Sequence, residues 1–203
     1  MIEYVDPQMF VRNAAYHEAG HVTAAVLQDM RLRERGVHVD SRGLGISYYC
    51  HRLPGDLSNS EKDRLERERT IIALLAGIIS QTRFLSEHPG KEAWASDRAT
   101  ICALLEELHP SDPAARSAAQ NDLEERAERL VSQNWEVIEG LASALLAKAY
   151  TPMPPIEIAE GWSRDKKSIE KRMCGSELVE FFKKSQIEAL IRREEVERRD
   201  EVR

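Results

Sequence analysis

The sequence lacks the features that mark secreted, membrane-spanning or disulfide-bonded proteins. Its 203 residues include only three cysteines, and these have neither the CxxC spacing of a thiolate metal site nor the pattern of a disulfide framework. The longest apolar run, residues 71–79, is far shorter than the roughly 20 residues that span a bilayer. No signal-peptide pattern is present. We therefore expect a cytoplasmic protein with no membrane partner.

An excess of positive charge is also missing. Lys and Arg total 29 against 35 Asp and Glu, which gives a net charge of −6 and no general attraction to nucleic acid. The GxxxxGK[ST] phosphate loop, the GxGxxG fingerprint and the GxSxG nucleophile elbow are all absent. With 42% hydrophobic and 32% charged residues, the composition is that of a soluble globular protein.

What the sequence does contain is HEAGH at residues 17–21, within the small and apolar stretch 14–26. On a helix, His17 and His21 lie on one face with Cβ atoms about 5 to 6 Å apart, so both imidazoles can bind one metal ion. Glu18 is about 100° further round the helix, beside the metal, where a base for a bound water belongs. This is the HExxH pattern of zinc metallopeptidases.

The alternative interpretation of this motif is a pair of hydrogen-bonded core histidines with no metal. The surrounding residues favour the metal site, because a metal-binding helix must be buried and closely packed. An exposed helix would not carry so many small and apolar residues around two histidines.

Capping residues and apolar spacing predict an α+β fold that is mostly helical. The strands are expected to form a short antiparallel hairpin or part of a small sheet around the turn at residues 41–43. The predicted helices cover residues 7–31, 60–85, 93–108 and 112–150, the last interrupted near Asn121, and the predicted strands cover residues 37–39 and 44–50.

The composition changes after residue 163. Residues 1–163 are predicted to form one domain, which a short helix at residues 156–162 would close. Residues 164–203 are predicted to form a charged extension, with a helix from Ser176.

A catalytic zinc site normally has three protein ligands and leaves the fourth position to water, so one more donor is needed downstream. A thermolysin-like site would take a glutamate from a following helix. The metzincin pattern HExxHxxGxxH is excluded, because Ala24 and Leu27 stand where it requires glycine and histidine.

The HEAGH motif and its surroundings resemble the peptidase domain of the FtsH-type ATP-dependent zinc proteases. The similarity covers about residues 11–162. It includes the AYHEAGH, SRGLG, LPGD and AG motifs and a closing helix, at residues 15–21, 41–45, 53–56, 76–77 and 134–146. Because the chain has no phosphate loop and no membrane segment, it resembles the peptidase half of that family alone.

The resemblance implies a helical zinc metallopeptidase domain with a small hairpin or sheet near the active site. It implies one zinc ion per chain, bound by His17, His21 and an aspartate at the start of a downstream helix. Asp97 matches that aspartate in context, 76 residues after His21. Glu18 would be the catalytic base.

Other assignments of the third ligand stay open. Asp97 could simply cap its helix, and Glu92, Glu87 and His88 are alternative ligands.

The resemblance implies a zinc-dependent endopeptidase that hydrolyses unfolded or flexible polypeptides without using ATP itself. An extended substrate would pair with the strand edge at residues 43–49. The expected contacts are Gly43, Leu44, Gly45 and Ile46, although the two glycines also suit an ordinary turn.

An ATPase acting in trans and a homo-oligomer are the protein partners to consider. Two other functions stay open, namely a catalytically silent regulator or adaptor with the same fold and a zinc amidohydrolase acting on a small amide.

Overall fold

The fold is α+β, with about 70% of the described residues in helices and a four-stranded antiparallel sheet. A computed structural model describes residues 7–49, 54–55, 60–85, 94–154 and 168–185. The helices are α1 (Pro7–Leu27), α2 (Glu61–Leu85), α3 (Ala95–Leu108), α4 (Pro113–Gln133), α5 (Trp135–Leu146) and α6 (175–185). The strands are β1 (Leu32–Asp40), β2 (Gly45–Tyr49), β3 (Thr151–Pro152) and β4 (Ile169–Met173). The predicted class and its helical majority are confirmed.

Helix α1 is the central element of the fold. It packs against α2, α5 and the first two strands, and most of its buried side chains are alanines and valines. A Cβ atom on Gly20 would lie only 2.5 Å from the carbonyl oxygen of Ala76, so the backbones of α1 and α2 nearly touch. Small residues thus bring the HEAGH motif close to α2.

The strands lie in the order β2-β1-β4-β3. Strands β1 and β2 form an antiparallel hairpin in which Val37 is opposite Ser47 and Val39 is opposite Gly45. Both valines are fully buried in the main hydrophobic core. Among the described strands, β2 therefore forms one edge of the sheet and lies beside α1.

Helix α2 separates two hydrophobic clusters. The main core contains residues of α1, β1, α5 and α6. The second cluster joins α2 to α3 and α4 through Ile71, Leu104 and Leu123. Burial by both clusters explains the apolar run at residues 71–79.

The first predicted helix is too long, because α1 ends at Leu27 and not at Arg31. The chain reverses at Asp29, whose φ is +58°, and β1 begins at Leu32. The longer prediction relied on the absence of glycine and proline before Gly36, whereas an aspartate can also adopt the left-handed conformation.

The helical region after Pro113 is interrupted at Asn134, and the predicted break near Asn121 is wrong. Helix α4 continues through Asn121 to Gln133. At this interruption the side-chain amide and the backbone N–H of Asn134 both donate to the carbonyl oxygen of Leu130. The predicted end at Tyr150 is also too late, since α5 ends at Leu146.

Strand β4 is not predicted from the sequence, because its residues are mostly charged. It pairs with β1, with Val37 opposite Met173. Glu170 is only 1% exposed and accepts a hydrogen bond from Arg172 Nε at 2.6 Å. The guanidinium of Arg172 also contacts His38 Nδ1. These charged groups are paired with one another within the sheet, so their presence does not indicate a solvated segment.

The predicted division after residue 163 stays a prediction, because residues 155–167 lie outside the described residues. Beyond it, the helix predicted from Ser176 is present as α6. Leu178 and Phe182 of α6 pack into the main core.

The predicted short helix at residues 156–162 lies outside the described part of the chain. Within the described ranges, no helix is long and apolar enough to cross a membrane.

Candidate metal centre

Helix α1 presents both motif histidines to the same point in space. The rings of His17 and His21 meet edge to face, with centroids 4.3 Å apart and an interplanar angle of 82°. Their Nε2 atoms are 2.9 Å apart. This is the consequence of the four-residue spacing on a continuous helix.

Asp97 completes a group of three potential ligands. It lies in the first turn of α3, and its Oδ2 atom is 3.0 Å from Nε2 of His17 and 3.4 Å from Nε2 of His21. The N-cap residue of α3 is Trp94, not Asp97, and it makes no side-chain cap hydrogen bond. The alternative ligands Glu87, His88 and Glu92 lie outside the described residues.

The spacing of these three atoms suits a small metal ion. Tetrahedral zinc with ligands at about 2.0 to 2.1 Å holds neighbouring ligand atoms roughly 3.3 Å apart. The separations of 2.9, 3.0 and 3.4 Å are close to that value. Two imidazole nitrogens and a carboxylate oxygen are also a donor set that zinc accepts. The residues therefore fit such an ion.

The hydrogen bonding of His21 favours a positive charge at the same point. Its Nδ1 atom is 2.8 Å from the carbonyl oxygen of Ala73. A carbonyl only accepts, so Nδ1 carries a proton and Nε2 of the neutral ring has a lone pair. The lone pair on Nε2 then faces the lone pairs on Oδ2 of Asp97 at 3.4 Å, and the two atoms repel each other unless a proton or a metal ion lies between them. In His17, Nδ1 is buried without a hydrogen-bond partner among the described residues.

The pKa values agree with this preference for positive charge. Burial lowers the pKa of His21, but its hydrogen bond to Asp97 and the charges of Asp97 and Glu18 outweigh burial and raise the pKa to about 9. Burial raises the pKa of Asp97, yet the hydrogen bonds from both histidines hold it well below its ordinary value. In the metal-free protein a proton on the imidazole of His21 thus occupies the position that suits a metal.

Glu18 lies beside this group and is itself buried, with only 5% exposed. The hydroxyl of Ser47 on β2 donates to its Oε2 atom at 2.5 Å. A Cβ atom on Gly45 would lie 2.5 Å from Cγ of Glu18. The glutamate is therefore held between α1 and two residues of β2.

A cavity of about 330 Å³ opens in front of these side chains. The four predicted substrate contacts, residues 43–46, all line it together with the three potential ligands and Glu18. Tyr49 lines it as well, and burial with the nearby charges of Asp97 and Glu18 raises the pKa of its phenol, which stays protonated. The structure thus brings the predicted site residues together around one opening.

Asp40 organises the turn that forms the rim of this cavity. Its Oδ1 atom accepts the backbone N–H groups of Arg42 and Leu44, each at 2.9 Å. Gly43, with φ of +83°, packs against Phe10 at the start of α1. An aspartate three residues before a glycine is a turn signal that could have identified Asp40 from the sequence.

Gly77 on α2 leaves room for the imidazole ring of His21. A Cβ atom there would lie 2.3 Å from Cε1 of His21. Sequence reasoning recognised Gly77 only as part of a small-residue motif and missed Ser47 altogether. Neither residue carries a local signal for its contact, since each meets a partner far away in the chain.

Two comparisons with known proteins found no relative of this chain. No protein-family model matches the chain. A search of curated proteins also found no match. The likeness to FtsH-type peptidases therefore stays a prediction based on the sequence motifs.

Proposed function

We propose that the protein is a zinc-dependent metallopeptidase that cleaves unfolded or flexible polypeptides. The observation that carries this proposal is the convergence of His17, His21 and Asp97, whose ligand atoms lie within 4.8 Å of one another. Glu18 beside them is the second support, because a purely structural zinc site has no use for a base and usually closes its fourth position with another ligand.

The chemistry would be divided between the metal and the chain. Zinc, when bound by the two histidines and Asp97, supplies a water of lowered pKa and polarises the peptide carbonyl. Oε2 of Glu18 accepts the hydroxyl of Ser47, so Oε1 is the atom that takes a proton from the attacking water. Glu18 then gives this proton to the nitrogen of the leaving amine.

The open edge of β2 supports a polypeptide as the substrate. The carbonyl oxygen of Leu44 accepts the N–H of Asp40 on β1. Because backbone groups alternate in direction along an antiparallel strand, those of Gly45 and Ser47 point away from β1. An extended chain that paired with them would lie along the cavity.

The opposite edge of the sheet suits such pairing less well. Strand β3 has only two residues, and one of them, Pro152, has no backbone N–H. We propose that the substrates are polypeptides that are already unfolded or that an ATPase acting in trans delivers.

The direct test combines metal analysis with cleavage of an unfolded, fluorescently labelled protein by the wild type and by Glu18→Gln. Both proteins should bind one zinc ion per chain, and only the wild type should release fragments. Glu125→Gln is the matched control, because that glutamate is exposed on α4 and 69% of its side chain is accessible. It should cleave like the wild type.

Other outcomes would support other functions. A zinc-loaded wild type that cleaves neither proteins nor short peptides would indicate a regulator or adaptor. Hydrolysis of small amides without cleavage of polypeptides would indicate an amidohydrolase.

A further inference from the structure

We propose that Ser47 is a positioning residue, which fixes the carboxylate of Glu18 beside the metal site. This inference rests on the proposed peptidase function. The Ser47 hydroxyl lies 2.5 Å from Oε2 of Glu18 and 3.2 Å from the backbone oxygen of the same residue. A hydroxyl has one proton, and the charged carboxylate at the shorter distance is the stronger acceptor.

Glu18 needs such a partner because its side chain has three rotatable bonds. Among the described residues, Ser47 makes the one side-chain hydrogen bond to this carboxylate. Gly45 limits the side chain on another side, where its backbone approaches Cγ. Gly45 and Ser47 are two residues apart and therefore lie on the same face of β2. One strand thus fixes the position of the base.

The backbone of Ser47 would also lie next to the bound substrate. Ser47 directs its side chain to Glu18 and its backbone groups to the open edge of the sheet, where an extended chain would pair. Removal of the hydroxyl leaves the backbone unchanged, so substrate binding should persist while proton transfer becomes less efficient. A misplaced base should therefore lower kcat and leave KM unchanged.

The experiment compares Ser47→Ala and Ser47→Thr with the wild type. Ser80→Ala is the control for loss of a serine hydroxyl, since Ser80 is buried on α2 and its hydroxyl has no hydrogen-bond partner among the described residues. We expect kcat of Ser47→Ala to fall about 10- to 100-fold, since small misplacements of catalytic groups have effects of this size. KM and zinc content should not change. Ser47→Thr, which keeps the hydroxyl, should restore most of kcat.

A crystal structure of zinc-loaded Ser47→Ala provides a readout that does not depend on activity. The Glu18 carboxylate should leave the position that it has in the wild type. An unmoved carboxylate, an unchanged kcat, or a loss of kcat that merely follows a loss of zinc would each overturn the proposal. If the wild type cleaves nothing, the proposed function fails, and the position of Glu18 in the two structures still decides the role of Ser47.

Discussion

Gly77→Ala tests the metal centre most sharply, because the substitution has two opposite effects on the stability of the fold. Within a helix, alanine is favoured over glycine by about 1 kcal/mol. At this position, however, the new Cβ would lie 2.3 Å from Cε1, 2.5 Å from Nδ1 and 2.6 Å from Nε2 of His21. Ordinary contact begins near 3.4 Å, so the imidazole would have to retreat by about 1 Å.

That retreat would affect both stability and metal binding. Nδ1 of His21 would move away from the carbonyl oxygen of Ala73, now 2.8 Å away, and Nε2 would leave the ligand position. Overpacking costs about 1 to 3 kcal/mol, and loss of a buried hydrogen bond costs a similar amount. After the gain of about 1 kcal/mol from alanine in a helix, we expect the metal-free variant to be about 1 to 5 kcal/mol less stable than the wild type. Its zinc affinity should fall at least about tenfold.

Chelator competition measures the zinc affinity of Gly77→Ala, and urea unfolding measures its stability. Gly140→Ala is the matched control, because the nearest atom to its new Cβ would be Cζ of Phe181 at 3.4 Å, an ordinary contact. The control should bind zinc normally and gain up to about 1 kcal/mol of stability. If Gly77→Ala behaves like Gly140→Ala, the close packing of α2 against His21 is refuted.

Three further predictions concern the third ligand, the sheet and pH. Asp97→Ala should lower zinc affinity by more than about 100-fold in a chelator competition, because it removes a direct ligand; unchanged affinity would show that another residue binds the metal. Gly36→Ala should cost about 2 to 4 kcal/mol in urea unfolding, since its φ is +65° and its Cβ would lie 1.9 Å from the carbonyl oxygen of Met173. Gly55→Ala is the control, because Gly55 has a φ of +86° but no neighbour within 4 Å of the new Cβ, and it should lower the free energy of unfolding by only about 1 to 2 kcal/mol. Equal losses in the two variants would contradict the close approach at Gly36. The raised pKa of His21, about 9, stabilises the metal-free fold fully below the ordinary value of 6.5, and this stabilisation is lost as pH rises through 9. The Tm of chelator-treated protein should therefore fall relative to that of zinc-loaded protein between pH 6.5 and 9, and a constant difference would contradict this pKa.

The parts of the fold that the sequence predicted are those with a local cause. Proline at the start of α1, apolar spacing along α2 and the glycine-containing turn before β2 each act over a few residues, so each is visible as a pattern. Strand β4 has no such pattern. Its Glu170 and Arg172 suit a sheet only because they meet each other and His38 there.

The candidate site likewise contains residues that the sequence predicted and contacts that only the structure revealed. The sequence by itself determined that His17 and His21 share one face of a helix with Glu18 beside them, because helical geometry fixes residues four apart. Asp97 was identified by family resemblance, and only the tertiary structure brought its carboxylate to the two rings. The structure alone decided what surrounds them, since Ala73 reaches His21 across 52 residues and Ser47 reaches Glu18 across 29. Contacts at such separations depend on how α2 and β2 pack against α1, and no short sequence pattern encodes that packing.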